Sequence, residues 1–225
     1  TVTQHFEQQG GPSCIWVRSP NQWYRNDKGR WVRRNWEDYL ENHDIGYLLE
    51  ASDNIAYIAP VIRTNSDIQY KKASTQCRLW GSNPYLLKTE NWKVGAGRFI
   101  NEYDVSNASK VAVIGSDLAK NLFGEQNPVG LEIEGDGERY LVIGVLEPLQ
   151  FFGGTNERNA IVPYTTLQSR HIGNKRLDRM TVMAQSPEHV PEVASQIQRV
   201  LKRHHTHGDE FMIETGESRI TQFNR

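Results

Sequence analysis

Residues 111–146 read VAVIGSDLAKNLFGEQNPVGLEIEGDGERYLVIGVL, and the order of residue types in this stretch decides the fold. Val111–Ile114 is a short apolar run of the kind a buried strand needs. Gly115 and Ser116 break it, and Ser116 is expected to accept from the first free amides of a helix. Leu118, Ala119, Leu122 and Phe123 then recur at helical spacing, and Gly124 stands where a left-handed C-terminal cap is wanted. Pro128 and Gly130 punctuate the chain. Leu131–Glu134 and Tyr140–Leu146 follow as two strands around Gly135-Asp136-Gly137, a hairpin signal because glycine accepts positive φ without steric cost. The unit is strand, short helix, hairpin. It carries no nucleophile, no metal-ligand cluster and no phosphate loop.

Downstream, Met180–Ala184 reads as a strand, and Ser186 is expected to cap the clearest helix of the sequence, with Pro187 at its first position. Val190, Val193, Ala194, Ile197, Val200 and Leu201 fall at i, i+3, i+4, i+7, i+10 and i+11, one apolar stripe. Gly208 is expected to end this helix before a last strand at Phe211–Ile213. Upstream, Cys14–Arg18 alternates as a first strand, with Cys14, Trp16 and Arg18 on one face. Asn35–Asn42 is expected as a short helix, with a further helical turn at Ile45–Glu50. Ile55–Arg63 and Ile68–Lys72 are expected as two strands separated by Thr64-Asn65-Ser66-Asp67, and Pro60 points to an edge or bulged strand. Thr75–Trp80 is a further strand and Pro84–Lys88 a short helix. Strand–helix–strand at both ends implies one α+β subdomain built from residues 1–80 and 172–225. A β-rich subdomain, residues 81–171, is inserted between them.

Composition sets outer limits. The 225 residues carry a formal net charge of -1, which argues against a general nucleic-acid or polyanion binder. Mean hydropathy of -0.65 describes a soluble body with polar loops. No apolar run approaches the roughly 20 residues of a membrane helix. The chain begins with Thr1 rather than Met, so it reads as a soluble part of a longer protein. Two cysteines, Cys14 and Cys77, do not make a disulfide framework. They are either one bridge or two buried thiols.

Residues 20–36 are the oddest segment, with Trp23, Trp31, Trp36 and Tyr24 interleaved with Arg25, Lys28, Arg30, Arg33 and Arg34. Such interleaving can stack on single-stranded nucleic acid or on sugars. The competing reading is a hairpin around Asn26-Asp27-Lys28-Gly29 with arginines lying over the aromatic rings. The near-neutral charge favours the second. Trp23, Tyr24, Trp31 and Arg33 are the candidates for partner or ligand contact.

Other chemistry is sparse. Lys202-Arg203-His204-His205-Thr206-His207 invites a metal reading, yet adjacent helical side chains diverge by about 100 degrees, so His204 and His205 cannot share one ion. The favoured reading is a solvated helix terminus and no metal. Gly95-x-Gly97 is too short for a dinucleotide fingerprint, and Gly115-Ser116 lacks the rest of a nucleophile elbow. No catalytic residue and no cofactor are expected.

One resemblance draws these pieces together. Gly81-Ser82-Asn83-Pro84-Tyr85, Gly97-Arg98-Phe99, the apolar strand ending in Gly115-Ser116, Leu122-Phe123-Gly124, Pro128-Val129-Gly130, Val142-Ile143-Gly144-Val145 and Ile161–Thr166 occur in an order similar to that of the extracytoplasmic core domain of MacB-type ABC transporter permeases. The resemblance covers about Trp80 to Leu167. It implies an α+β fold in which a Porter-like α/β-sandwich subdomain, made from both chain ends, carries an inserted β-rich Sabre-like subdomain, with residues 20–36 as a lineage-specific insertion. It implies the periplasmic face of the inner membrane, in the loop between the first and second membrane helices. It also implies a non-enzymatic role: coupling ATP hydrolysis on the cytoplasmic side to export of a drug, peptide or lipoprotein by mechanotransmission. The implied partners are an ABC ATPase domain or subunit, a second permease copy, a membrane fusion protein and an outer-membrane channel. A soluble ligand- or carbohydrate-binding module using the Trp-rich segment is the alternative from another class.

Overall fold

The computed structural model describes residues 11–149, 156–216 and 218. The elements run β1 (Cys14–Arg18), β2 (Trp23–Arg25), β3 (Trp31–Arg33), β4 (Leu40–Glu41), α1 (Asn42–Ala51), β5 (Ile55–Tyr70) and β6 (Ala73–Ser82). Next come α2 (Leu86–Thr89), β7 (Val94–Gly97), α3 (Glu102–Ser106), β8 (Val111–Ile114), α4 (Ser116–Phe123), β9 (Glu132–Gly135) and β10 (Glu138–Leu146). The chain closes with β11 (Asn159–Pro163), α5 (Tyr164–Leu167), β12 (Arg176–Leu177), β13 (Arg179–Ala184), α6 (Val190–His204) and β14 (Met212–Thr215). Among the described residues no helix is long and apolar enough to cross a membrane.

The α+β chain divides into two compact units. One comprises the described parts of Gly11–Ile58 and Arg176–Arg225, and the other is Ala59–Lys175. The sequence reading placed these limits at residues 80 and 171. The observed division falls between Ile58 and Ala59, inside β5, and between Lys175 and Arg176.

In the discontinuous unit, β1 lies between β13 and β14 and is antiparallel to both, with Trp16 opposite Thr181 and Glu214. β13 and β14 are thus parallel to each other and separated by one strand, with α6 as their crossover, a split β-α-β arrangement. The start of β5 lies on the other side of β13. The α6 stripe packs here: Val193, Ile197 and Leu201 are fully buried and Val190 nearly so. Each such side chain contributes about 1.5–3 kcal/mol. Ser186 stands at the N-cap position of the turn that runs into α6, with Pro187 first as expected, but its side chain caps no amide. Its hydroxyl meets the His189 ring at 3.0 Å, and a 3-10 turn at Pro187–His189 precedes Val190. Gly208 does not end α6 either; the helix stops at His204, and Gly208 begins a separate 3-10 turn. The helix expected at Asn35–Asn42 is irregular chain followed by β4, because α1 starts only at Asn42, where Asp44 Oδ2 accepts from the Glu41 amide at 2.8 Å. Its ten residues absorb the turn expected at Ile45–Glu50.

In the continuous unit, β5 and β6 form a long hairpin through Lys71-Lys72, with Lys71 at φ 52. Thr64–Asp67 do not turn. They pair in unbroken register with Leu79–Gln76, and Ser66 is buried among the strands. Pro60 is not on an edge strand. It stands just outside the β5–β6 ladder, which begins at Ile62, so its missing amide costs that ladder nothing. From β6 the order continues β11, β8, β10. β9 pairs with β10 and also with β5, which closes the strands β5-β6-β11-β8-β10-β9 into a ring. Along Gly144–Leu146, β10 pairs instead with β7. The hairpin between β9 and β10 turns on Asp136 and Gly137, both at positive φ, as the sequence implies. Val61, Trp80, Trp92, Val113, Ile143 and Ile161 belong to the core cluster of this unit.

Cys14 and Cys77 are both buried and neither belongs to a disulfide. β1 pairs with β13 and β14, whereas β6 pairs with β5 and β11, and of the two readings left open by the sequence the buried thiols hold rather than the bridge. Burial pushes the Cys77 thiol up to about 12, far from thiolate chemistry.

Candidate functional site

Residues 20–36 form the hairpin that the turn chemistry implies. The Asn26 side-chain oxygen accepts from Lys28 and Arg30 amides at 3.1 and 3.0 Å, and Gly29 supplies the positive φ. Trp23 pairs with Arg33 and Arg25 with Trp31, so these four side chains share one face in a checkerboard of ring and guanidinium. Trp23 is 52% and Trp31 65% exposed. Tyr24 lies opposite Val32 on the other face, where the Arg34 guanidinium sits 5.2 Å from its ring and 4.7 Å from that of Trp36. Arg34 is held there by Glu210 at 2.8 Å, and Arg33 by Glu37 at 2.8 Å. The structure thus brings Trp23, Trp31 and Arg33 together and sets Tyr24 apart from them.

The second locus lies where α6 ends and α1 begins. The His205 side chain is 6% exposed, not the solvated terminus expected. Its Nδ1 lies 2.6 Å from Asp38 Oδ1 and its Nε2 3.0 Å from Asp44 Oδ1. With a carboxylate on each side, both nitrogens donate and the ring is an imidazolium. Burial works against that charge, but the hydrogen bonds to Asp44 and Asp38 outweigh it and push the imidazole up to about 9. Asp38 Oδ2 also accepts from the His207 amide at 3.0 Å. The His207 ring stacks on Trp36 at 3.7 Å, and His204 stacks on Tyr47 at 3.9 Å. His43 completes the group, its Nε2 3.6 Å from Asp44 Oδ1 and its Nδ1 3.5 Å from Glu41 Oε2.

Sequence reasoning found the histidines at the end of α6 and missed Asp38, His43 and Asp44. Asp38 and Asp44 stand 167 and 161 positions from His205, a separation no local spacing rule can bridge.

The motif residues of the continuous unit do structural work. Gly97 has φ +72, and a Cβ there would fall 2.2 Å from the Ile143 carbonyl oxygen; one on Gly144 would fall 2.2 Å from that of Arg98. The two backbones pass too closely for side chains, and the Arg98 amide donates to Ile143 at 2.8 Å. Arg98 then grips Asp104 at 2.6 Å, and Asp104 also accepts from the Asn101 amide that opens α3. Burial alone would raise the Asp104 carboxyl, but Arg98 and that amide hold it below the usual carboxylate range. Thr165 and Thr166 donate to the Val105 and Ser109 carbonyls at 2.6 and 2.9 Å, tying α5 to the end of α3. Ser116 is the first residue of α4 rather than its cap, and its hydroxyl is buried without a hydrogen-bond partner among the described residues. The cap is instead the Glu157 carbonyl, which accepts from Leu118 at 3.0 Å, and Gly115 gives it room.

A model of the MacB-like periplasmic core domain matches residues 2–200. The macrolide export ATP-binding/permease protein MacB of Wolinella succinogenes is 30% identical over 170 residues, 75% of this chain and 26% of that protein. The pyoverdine export ATP-binding/permease protein PvdT of Pseudomonas syringae is 27% identical over 157 residues, 68% of this chain and 24% of that protein. The chain thus spans about a quarter of the length of these curated relatives. The crystal structure of the periplasmic region of MacB from Actinobacillus actinomycetemcomitans superposes with a TM-score of 0.77 at 20% identity, covering 95% of this chain and 93% of that one. The extracellular domain of the ABC-type transporter YknZ from Gram-positive bacteria gives 0.72 at 18% identity, covering 90% of this chain and 100% of that one.

Proposed function

The chain belongs to the MacB-like periplasmic core domains, and on that premise we propose that it is the extracytoplasmic domain of an ABC exporter permease, working by movement rather than by catalysis. The observation that carries this reading is the place of β1 and β14. They are adjacent and antiparallel, with Ile15 opposite Thr215, so the backbone enters and leaves the discontinuous unit at one end of one strand pair. Two membrane helices of a permease need such an arrangement if a domain is to be hung between them. The discontinuous unit is the Porter-like part and Ala59–Lys175 the Sabre-like insertion. An ABC ATPase domain or subunit on the cytoplasmic side hydrolyses ATP, and closure of the dimer formed with a second permease copy shifts these units. The export substrate is a drug, peptide or lipoprotein.

Absence of catalysis is supported by the chemistry just described. Ser116 Oγ has no hydrogen-bond partner among the described residues, Cys77 is held as a thiol, and the motif's glycines and threonines are spent on packing and backbone hydrogen bonds. The exposed hairpin face of Trp23, Arg25, Trp31 and Arg33 is the surface we assign to partner contact, a membrane fusion protein leading to an outer-membrane channel being the partner implied. Topology labelling tests the reading. A cysteine placed at Tyr103, 72% exposed, in the full-length permease is expected to react with a membrane-impermeant maleimide from the outer face of intact spheroplasts. Labelling only after the membrane is opened would contradict it.

A further inference from the structure

Three donor atoms converge where α1 begins and α6 ends. One donor atom from each of His43, Asp44 and His205 lies within 4.8 Å of the other two. We propose that these residues bind one zinc ion, or a transition-metal dication of the same class.

The distances suit that ion. Asp44 Oδ1 is 3.0 Å from His205 Nε2 and 3.6 Å from His43 Nε2. A tetrahedral zinc with ligands at about 2.0–2.1 Å places its donors about 3.3 Å apart, between those two values. Two imidazoles and one carboxylate favour zinc, cobalt or nickel over calcium or magnesium, which seek oxygen.

The surrounding groups are arranged as ligand supports. His205 holds its other nitrogen against Asp38 at 2.6 Å, and Asp44 holds its other oxygen against the Glu41 amide at 2.8 Å. The other nitrogen of His43 faces Glu41 Oε2 at 3.5 Å. Each ligand thus has an outer partner that fixes its orientation, the carboxylate–histidine–metal pattern. His43 is 48% exposed, which leaves a solvent side open for a water as fourth ligand.

Charge points the same way. Two carboxylates, one fully buried and one 12% exposed, face the His205 ring. A dication held by His205 Nε2 and Asp44 Oδ1 would sit beside that buried carboxylate, while the Nδ1 side of the ring stays against Asp38. The C-terminal end of α6 adds a favourable dipole. The ion would staple the start of α1 to the end of α6.

The test uses the whole 225-residue chain, stripped with chelator, at neutral pH. Titration with Co2+ is expected to give one saturable site with the intense visible bands of tetrahedral cobalt, displaced by Zn2+. His43→Gln is expected to weaken binding at least tenfold while keeping the far-ultraviolet circular dichroism, because that side chain is half exposed. His204→Gln, on the neighbouring position, is expected to bind as the parent does. Weak octahedral cobalt bands, absence of saturation, or equal binding by the parent and His43→Gln would each overturn the assignment.

Discussion

His205→Gln in chelator-treated protein is the most informative single change. The substitution removes the one cation between Asp38 and Asp44 and leaves Asp44 fully buried with the Glu41 amide as its remaining hydrogen-bond donor among the bonds described. Breaking a buried ion pair by deleting one partner costs about 3–5 kcal/mol, and the glutamine amide recovers part of this with one neutral hydrogen bond. We expect a net loss of about 2–3 kcal/mol in urea unfolding followed by circular dichroism. The pH dependence gives an independent estimate. The folded imidazole titrates near 9 and the unfolded one near 6.5. Its stabilisation is therefore complete below about pH 6.5 and is lost as pH rises through about 9. The ceiling on that linkage is about 3 kcal/mol, of the same size as the mutational loss. In His205→Gln the difference in stability between about pH 6 and pH 9.5 should shrink accordingly. A loss under about 1 kcal/mol, or an unchanged pH slope, would refute the charged Asp–His–Asp assignment.

Other consequences follow from the same geometry. Asp104 is held below the usual carboxylate range, so its contribution is present above about pH 4 and fades as pH falls further; Asp104→Ala should cost about 1–2 kcal/mol through the lost α3 cap and Arg98 bond, measured by urea midpoint near neutrality. Gly144→Ala drives a Cβ against the Arg98 carbonyl and should cost more than about 2 kcal/mol, whereas Gly137→Ala, in open space at φ +81, should cost only about 1–2 kcal/mol. Replacing Trp23 and Trp31 together by Ala should leave the thermal midpoint within a few degrees, because both are half or more exposed, while weakening capture of a fusion-protein partner by the full-length permease. Calorimetry of the chain with ATP should show no saturable heat.

What the sequence revealed depended on how local the cause was. The β8–α4–β9–β10 order is written in adjacent residues, as is the α6 stripe, and both stand where expected. The hairpin of residues 20–36 is likewise local, fixed by Asn26 and Gly29. Where tertiary pairing overrode local preference, the reading failed. Thr64–Asp67 favour a turn on their own, but nine consecutive pairs with β6 hold them extended. Ser116 and Ser186 look like caps, yet Glu157 takes one role and His189 draws off the other hydroxyl. The Asp38–His205–Asp44 cluster was illegible because its members meet only once α6 has docked beside α1. The family motif was legible in outline, but not why Arg98 follows Gly97; only the structure shows the backbone crossing that requires the one and the carboxylate that employs the other.

On the proposed reading, this domain transmits movement for an exporter whose motor lies elsewhere. Val193 is fully buried on α6, and Val193→Asp places an unpaired carboxylate there at a cost of several kcal/mol, enough to unfold the discontinuous unit. Full-length permease carrying this substitution, reconstituted with its ATPase in proteoliposomes, is the direct measurement. The account predicts that substrate transport is lost while ATP hydrolysis remains measurable. Transport at the parental rate with the unit unfolded, shown by protease sensitivity of the same vesicles, would contradict it.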